Sequence, residues 1–465
     1  MQRKSFHIIT LGCKVNQYES EALRQAWLKA GHRELTSPLG ADLILINSCA
    51  ITSKAISDLR AVSRRARRLA PRGEILVTGC AAEAFPHELS PLPVDALVPQ
   101  RKKTTLLRRL DADEPANDFR NHDDPEGVVH NSDDPEVVVH NHDDQEGAVQ
   151  ATAFPDFSIS DYGRSRAVLK IHDGCSQHCT YCIVPSGRGP SVSRPWPAVL
   201  AEAGRLANAG FREIILNGVN LRQYGSDLPG KPDFWDLLTR LTDAFAPEWG
   251  GGGQEERQAL RFRISSLEPG QLNLKALDTL AKSRLVAPHL HLSLQSGSVS
   301  ILRKMGRRHY NVRILPDFSD SLKQIWPKFA LGADFIVGFP GETENDFTDT
   351  LELCAQLPLT YAHVFPYSRR PGTTAAKLPG QVSQEVKKER AARLRELISR
   401  KKQEFLQGQL QLDRVWVIPE EGKKGRGINE FYSACRFGGT DFPQGKNILP
   451  ARPVAVEKET LLVQL

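Results

Sequence analysis

No apolar run in this 465-residue chain reaches the roughly 18–20 residues that a bilayer-spanning helix requires. Its opening residues, Met1-Gln2-Arg3-Lys4-Ser5-Phe6-His7, lack the apolar segment of a secretory signal. Both absences argue against a membrane partner and lead to the expectation of a cytoplasmic protein. A chain of this size also has no need of disulfides. In a reducing cytosol its eight cysteines are free for metals, and their spacings suggest clusters rather than bridges. Basic residues are nearly missing from one stretch: residues 111–150 hold thirteen acidic side chains and a single basic one, Arg120. The rest of the chain carries 60 lysines and arginines against 42 acids, a net charge of +18. A body this basic suits a polyanionic partner such as RNA.

At about 100–200 residues per domain, the length predicts three or so domains. Shifts in composition place them at 1–110, 161–382 and 413–465, with an acidic linker over 111–160 and a basic connecting helix over 383–412. The linker contains three tandem ten-residue units, 121–130, 131–140 and 141–150, of the type Asn-His-Asp-Asp-Pro-Glu-Gly-Val-Val-His. Acid and proline content predict a solvated, disordered segment. Its histidines and aspartates offer at most a weak metal site.

Within the central domain, Cys175-Ser176-Gln177-His178-Cys179-Thr180-Tyr181-Cys182 places three thiols in eight residues, directly after a strand-like run over 164–172. Three cysteines spaced in this way can ligate three irons of a cubane cluster, leaving the fourth iron open for chemistry. A zinc knuckle is the alternative, but structural zinc is normally closed by four protein ligands. The nearest fourth candidate, His178, lies inside the loop.

Residues 1–105 alternate strands (6–11, 42–46 and 74–78) with helices (17–30 and 53–69). That order predicts a doubly wound parallel sheet with helices on its faces, and an α/β fold. Cys13, Cys49 and Cys80 each follow one of the three strands. Ligands of open α/β sheets bind outside the carboxyl ends of the strands, so these three thiols are expected to converge as a second three-thiolate cluster. For any one of them alone, a buried core cysteine would be the simpler reading. The helix over 53–69 carries Arg60, Arg64, Arg65, Arg67 and Arg68, either a solvated face or a strip for phosphate contacts.

Further strands over 213–216, 260–265, 289–294, 333–337 and 361–366 complete six β/α units, a partial (β/α)6 barrel with its active site at the strand carboxyl ends. Gly218, Asn220, Ser265, Glu268, Gln295, Val337 and Gly338 follow these strands and outline a nucleoside-sized pocket. Cys354 belongs on the apolar face of a helix, and Cys435 has no assigned role. The segment over 413–465 alternates short strands, 415–418, 431–437, 453–457 and 461–465, in the manner of a small antiparallel β-barrel. There Lys423, Lys424, Arg426 and Arg436 stand close in sequence to Phe431, Tyr432 and Phe437, a combination suited to single-stranded RNA.

The central loop resembles that of the radical S-adenosylmethionine (SAM) enzymes, in which Tyr181 would pack near the adenine of SAM. Over nearly the whole chain, the linker excepted, the motifs are similar to those of the methylthiotransferase family. Residues 10–20 (Thr-Leu-Gly-Cys-Lys-Val-Asn-Gln-Tyr-Glu-Ser), 47–52 (Asn-Ser-Cys-Ala-Ile-Thr) and 291–297 (His-Leu-Ser-Leu-Gln-Ser-Gly) resemble the branch acting on N6-threonylcarbamoyladenosine beside the tRNA anticodon. This resemblance implies a methylthiotransferase domain, a radical SAM core, and a C-terminal RNA-binding barrel of the TRAM type, which this tail matches loosely. It implies two [4Fe-4S] clusters, on Cys175, Cys179 and Cys182 and on Cys13, Cys49 and Cys80. At the first, SAM would be cleaved to a 5′-deoxyadenosyl radical that activates C2 of the base; the second would deliver sulfur. It also implies a tRNA substrate, an electron donor such as flavodoxin or ferredoxin, and a monomer. Isopentenyl-adenosine in tRNA and a ribosomal-protein aspartate are the alternative substrates. A non-catalytic RNA-binding protein with structural metal sites is the alternative class.

Overall fold

Leu43–Ser48 is buried along its whole length, as a strand covered on both faces must be. In the computed structural model, which describes residues 3–110, 153–249, 260–439 and 442–465, it is the middle strand of a parallel sheet. The strands β1 (Ser5–Thr10), β2 (Arg33–Glu34), β3 (Leu43–Ser48), β4 (Glu74–Gly79) and β5 (Ala96–Val98) run in the order β2-β1-β3-β4-β5. This is a doubly wound order, and its direction reverses between β1 and β3. Strands β2 and β5 have two and three residues, too few to show an alternating pattern in sequence. The helices α1 (Lys14–Lys29), α2 (Ser53–Leu69) and α3 (Cys80–Ala84) leave the carboxyl ends of β1, β3 and β4. Thr52 caps α2 by accepting the Ala55 amide at 3.2 Å, and Arg67 and Arg68 occupy its last turn. Arg67 is tied to Asp95 at 2.5 Å, while Arg60, Arg64, Arg65 and Arg68 stay exposed.

The central strands are β6 (Ala167–Asp173), β7 (Val192–Ser193), β8 (Glu213–Gly218), β9 (Arg261–Ile264), β10 (Ser266–Leu267), β11 (His289–Gln295), β12 (Ala330–Val337) and β13 (Leu359–Pro366). They form the sheets β7-β6-β8-β9 and β10-β11-β12-β13, parallel apart from β7. Ser265 interrupts the stave shared by β9 and β10, so six staves make an open (β/α)6 barrel. Leu290, Leu292, Leu294, Ala333, Phe335 and Val364 are buried in the main core. Their alternates, among them His289, His291, Asp334 and His363, face the lumen. Short helix α4 (Val184–Arg188) follows the cysteine loop, α5 (Glu344–Gln356) carries the buried Cys354, and α6 (Gln384–Gln409) runs beside β13. The basic helix therefore also closes the barrel edge, with Arg390 on Glu342 at 2.7 Å.

One apolar core joins the N-terminal sheet to the barrel, since Phe6, Tyr18 and Trp27 share it with Val168, Leu169 and Ile214. The linker expected over 111–160 ends early. Its repeats lie outside the described residues, but Phe157 and Ile159 are buried in this core and the Tyr18 hydroxyl donates to the Phe157 carbonyl at 2.9 Å. Two apolar side chains are enough to draw the end of the acidic tract onto α1.

Strands β14 (Val415–Pro419), β15 (Arg426–Asn429), β16 (Ala434–Phe437), β17 (Leu449–Glu457) and β18 (Thr460–Gln464) close into a barrel in the order β14-β15-β16-β18-β17. The strand expected over 431–437 starts later, because Tyr432 adopts a positive φ of 63° in the turn before it. The proposed stacking of RNA on this tail's aromatics is corrected. Phe431 and Phe437 are buried in the barrel core. Tyr432 lies 4.9 Å from the His289 ring and beneath Arg263, at the foot of the central barrel. Their apolar surface serves packing and docking, whereas Lys423, Lys424, Arg426 and Arg436 remain exposed. Docking is fixed by Arg263, which donates to the Glu430 and Asn429 carbonyls at 3.1 Å while paired with buried Glu213 at 2.8 Å. Among the described residues no helix is long and apolar enough to cross a membrane.

Candidate active site: two cysteine triads

The loop Cys175–Cys182 lies beyond the carboxyl end of β6 and is clamped by main-chain bonds from three sides. The Cys175 amide donates to the Gly189 carbonyl at 3.0 Å, the Thr180 amide to Met305 at 3.0 Å, and the Ala375 amide to Thr180 at 2.7 Å. Donors point at the sulfurs: Asn220 Nδ2 stands 3.5 Å from Cys175 Sγ, the Val184 amide 3.4 Å from Cys182 Sγ, and Arg307 Nη1 3.8 Å from Cys179 Sγ. Hydrogen bonds to ligand sulfur are one of the means by which a protein sets a cluster's potential. Burial pushes the free Cys182 thiol up to about 12 and raises Cys179 as well, so ligation must displace protons. His178 is exposed.

Cys13 precedes the first turn of α1, Cys49 follows β3, and Cys80 opens α3 after β4. All three stand at the carboxyl end of the sheet, around the point where strand order reverses. Gly12 makes the approach possible: it holds a φ of +111°, and a side-chain carbon there would sit 2.6 Å from Cys49 Cβ. Burial, with the charges of Cys80 and Cys13 adding to it, raises the Cys49 thiol to about 11. Cys80 is raised by burial too, with Cys13 adding to the effect. Among the described residues the one group of three His, Cys, Asp or Glu ligand atoms within 4.8 Å of one another is elsewhere, at His291, Asp334 and His363. Neither cysteine triad is drawn in to the spacing of a single ion. Three soft thiols around a larger gap fit an iron–sulfur cluster better than zinc.

The helices that follow the two triads, α3 and α4, pack against each other. Ile183, next after Cys182, packs in the core that holds Cys80, Ala81 and Ala82. A side-chain carbon on Gly187 would lie 3.2 Å from Cys80 Cβ. Arg188 then reaches into a buried ionic network. Its Nη1 donates to Glu19 at 2.9 Å and to Asp173 at 2.8 Å, and its Nη2 to Asn16 Oδ1 at 2.6 Å. Lys103 and Lys170 bond Glu19 at 2.6 and 2.7 Å, and Lys170 bonds Asp173 at 2.6 Å. Asn16 in turn donates to the Leu11 and Ser48 carbonyls, at the ends of the strands that carry Cys13 and Cys49. Burial alone would raise the Glu19 carboxyl, but Arg188, Lys103 and Lys170 together hold it well below the usual range. Three cations against two carboxylates leave one formal positive charge beside Cys80 and Cys13, a favourable field for anionic thiolates.

Other expected pocket residues divide. Ser265 Oγ and, next to the expected Gly218, Asn217 Nδ2 are buried without a hydrogen-bond partner among the described residues, as groups awaiting a polar ligand would be. Asn220 bonds Gln177 as well as Cys175. Gln295 holds a positive φ of 69° at the end of β11, and the Tyr181 hydroxyl lies 3.4 Å from Arg307. Glu268 is already held by three cations: Arg222, Arg307 at 2.9 Å and, when protonated, His309 at 3.0 Å. Gly218 and Gly338 leave room for protein, since side chains there would strike His172 and Lys387 respectively. The Val337 side chain is buried, and its carbonyl accepts the Tyr367 amide at 2.9 Å. Sequence reasoning missed Glu19, Lys103, Lys170, Arg188 and Arg307. The one available signal was Lys170, a cation within the otherwise apolar run Ala167-Val-Leu-Lys-Ile.

Comparison with known proteins agrees with this geometry. Residues 5–98 match the model of the uncharacterized protein family UPF0004, and residues 169–354 that of the radical SAM superfamily. The chain is 35% identical over 459 residues to the Bacillus subtilis threonylcarbamoyladenosine tRNA methylthiotransferase MtaB, covering 96% of this chain and 92% of that one. It is 31% identical to the tRNA-2-methylthio-N(6)-dimethylallyladenosine synthase of Pelotomaculum thermopropionicum, covering 97% and 94%. Among solved structures, the radical SAM methyltransferase TsrM of Kitasatospora setae, with cobalamin and a [4Fe-4S] cluster bound, superposes with a TM-score of 0.57. Its identity is 12%, over 81% of this chain and 74% of that one, a likeness of fold.

Proposed function

The chain belongs to the radical SAM tRNA methylthiotransferases, and from that premise we propose that its substrate is N6-threonylcarbamoyladenosine beside the tRNA anticodon, modified at C2. What carries this reading is the pair of cysteine triads joined through the packed helices α3 and α4, with Gly187 against Cys80. A radical initiator alone is compatible with many reactions, whereas a second cluster site packed beside it provides for sulfur transfer. Relatives of Bacillus subtilis and Rickettsia prowazekii, each 35% identical, are named for the threonylcarbamoyl nucleoside, which supports that substrate.

In this assignment Cys175, Cys179 and Cys182 hold the first [4Fe-4S] cluster, and Cys13, Cys49 and Cys80 the second. When bound, the two clusters and SAM supply one-electron cleavage of SAM and sulfur delivery. The chain's own residues do the rest. Asn220 and Arg307 direct N–H donors at the first triad's sulfurs. Ser265 Oγ and Asn217 Nδ2 are free to hydrogen-bond SAM. Arg188, Glu19 and Asn16 hold the triads in register. The target base must be splayed out of its loop to enter between them. The reading is completed by a flavodoxin or ferredoxin as electron donor, a monomeric state and a cytoplasmic location. Residues 1–110 act as the sulfur-delivering domain, 161–382 as the radical SAM core and 413–465 as a TRAM-like RNA module.

Mass spectrometry of tRNA nucleosides from a deletion strain tests it. The 2-methylthio derivative of N6-threonylcarbamoyladenosine is expected to vanish, leaving its precursor, and to return with the wild-type gene but not with Cys80→Ala. Loss of the dimethylallyl derivative instead would reassign the substrate to that of the Pelotomaculum relative.

A further inference from the structure

The barrel lumen holds a polar cluster that the two triads do not use. Asp334 and His363 are directly paired across β12 and β13, and His291 pairs with Gly332 two residues before Asp334. His291 Nε2 stands 3.1 Å from an Asp334 oxygen, and the His291 and His363 rings lie 5.5 Å apart. The other nitrogen of His291 is 2.9 Å from the Tyr361 hydroxyl, which also meets His289 Nε2 at 2.8 Å. The cluster grows more open toward the edge strand: His291 is buried, Asp334 half-buried and His363 exposed. Phe365, two residues beyond His363 on the same face, is 44% exposed with its ring 6.3 Å from the His363 ring. An exposed aromatic on the lumen face of a barrel is a ready platform for a base.

Positive charge lies within electrostatic reach of the same cluster. Lys14 follows Cys13 directly, it forms no ion pair among the described residues, and its charge acts on both His289 and His363. The lumen thus offers a carboxylate acceptor, an accessible imidazole and a lysine, with an exposed ring beside them.

We propose that His363, Asp334 and Lys14 form the specificity pocket for the N6 substituent of the target adenosine, and that this substituent is an acyl group bearing a carboxylate. The inference rests on the nucleoside assignment above and deepens it. Lys14 and His363 meet the substituent carboxylate, Asp334 accepts from its ureido N–H or hydroxyl, and Phe365 stacks on the base. His291 holds Asp334 in place and is itself held by Tyr361. An aliphatic N6 substituent would leave His363 and Lys14 without partners, the condition under which a polar site rejects an apolar analogue most strongly.

The test uses holoenzyme with both clusters and three anticodon stem-loops, carrying N6-threonylcarbamoyladenosine, its methyl ester, or unmodified adenosine. Wild type is expected to bind the free acid more tightly than the ester. His363→Ala and Lys14→Gln should each weaken binding of the acid by roughly tenfold or more, as expected for loss of a charged hydrogen bond, and leave the ester and unmodified stem-loops unchanged. Iron and sulfide contents equal to wild type certify the fold of each variant. Equal weakening on all three stem-loops, or a wild type that does not distinguish acid from ester while methylthiolating the acid, would overturn the pocket alone. A wild type that leaves the free-acid stem-loop unmodified would overturn the nucleoside assignment and the pocket with it. Zinc retained by wild-type holoenzyme and lost in Asp334→Asn would make the cluster a metal site instead.

Discussion

The Arg188 guanidinium donates to the Glu19 carboxylate at 2.9 Å, joining the helix after the Cys175–Cys182 loop to the helix after Cys13. Both groups are buried. Removing one side of such a pair leaves an uncompensated charge. Arg188→Met is therefore expected to destabilise the protein by about 3–5 kcal/mol in a chemical denaturation series. Arg188→Lys keeps the charge but loses the fork that spans Glu19, Asp173 and Asn16, so it should fall between the two.

The same network predicts an acid dependence. Arg188, Lys103 and Lys170, overcoming the effect of burial, hold the Glu19 carboxyl well below its ordinary value of 4.5. With the folded value below the unfolded one, the stability contributed by Glu19 is complete above pH 4.5 and is lost as the pH falls through the lower folded value. The stability gap between wild type and Glu19→Gln should accordingly be widest near neutral pH and shrink in acid. A gap that stays constant in denaturation curves from neutrality to acid would contradict the assignment.

Gly187 has no room for a branched side chain. Its first side-chain carbon would meet Cys80 Cβ at 3.2 Å and the Cys80 carbonyl at 3.3 Å, and α4 cannot withdraw without moving Ile183 and Cys182. Gly187→Val should reduce reconstituted iron and labile sulfide at the second triad first. Gly187→Ala should show a milder loss, since a shift of a few tenths of an ångström would accommodate it.

Cysteine variants should separate the two sites. Cys80→Ala is expected to bring iron content from about eight per chain to about four while reductive cleavage of SAM continues without methylthiolated product. Cys182→Ala should abolish cleavage itself. If both variants lose cleavage equally, the division of labour between the triads is wrong.

The C-terminal barrel docks through Arg263, which is buried between Glu213 and two main-chain carbonyls of the β15–β16 turn. Arg263→Leu should loosen that contact by about 3 kcal/mol or more. It should appear as faster proteolysis between α6 and β14, with the cysteine sites still able to load iron.

Much of this architecture could be read from local pattern. The strand expected over 42–46, the helix over 53–69 and the basic helix over 383–412 appear nearly there, as Leu43–Ser48, Ser53–Leu69 and Gln384–Gln409, because each depends on neighbours within a few residues. Short strands such as Ala96–Val98 escaped notice, since three residues carry no period. Phe431 and Tyr432 were misjudged for a different reason: an aromatic beside lysines looks the same in sequence whether it faces RNA or a neighbouring domain, and only burial decides.

By itself, the sequence determined that three thiols lie in one loop and that three more follow successive strands of a parallel sheet. Spacing and strand order are local properties, and they specify each triad separately. The tertiary structure decided that the helices following the two triads pack together, that Gly187 sits on Cys80, and that Glu19, Asp173, Lys103, Lys170 and Arg188 join in one buried ionic network. Those charges come from segments as far apart as residues 19 and 188. No local rule links them; what brings them together is the shared apolar core that fastens the N-terminal sheet to the barrel, inside which buried charges must be paired.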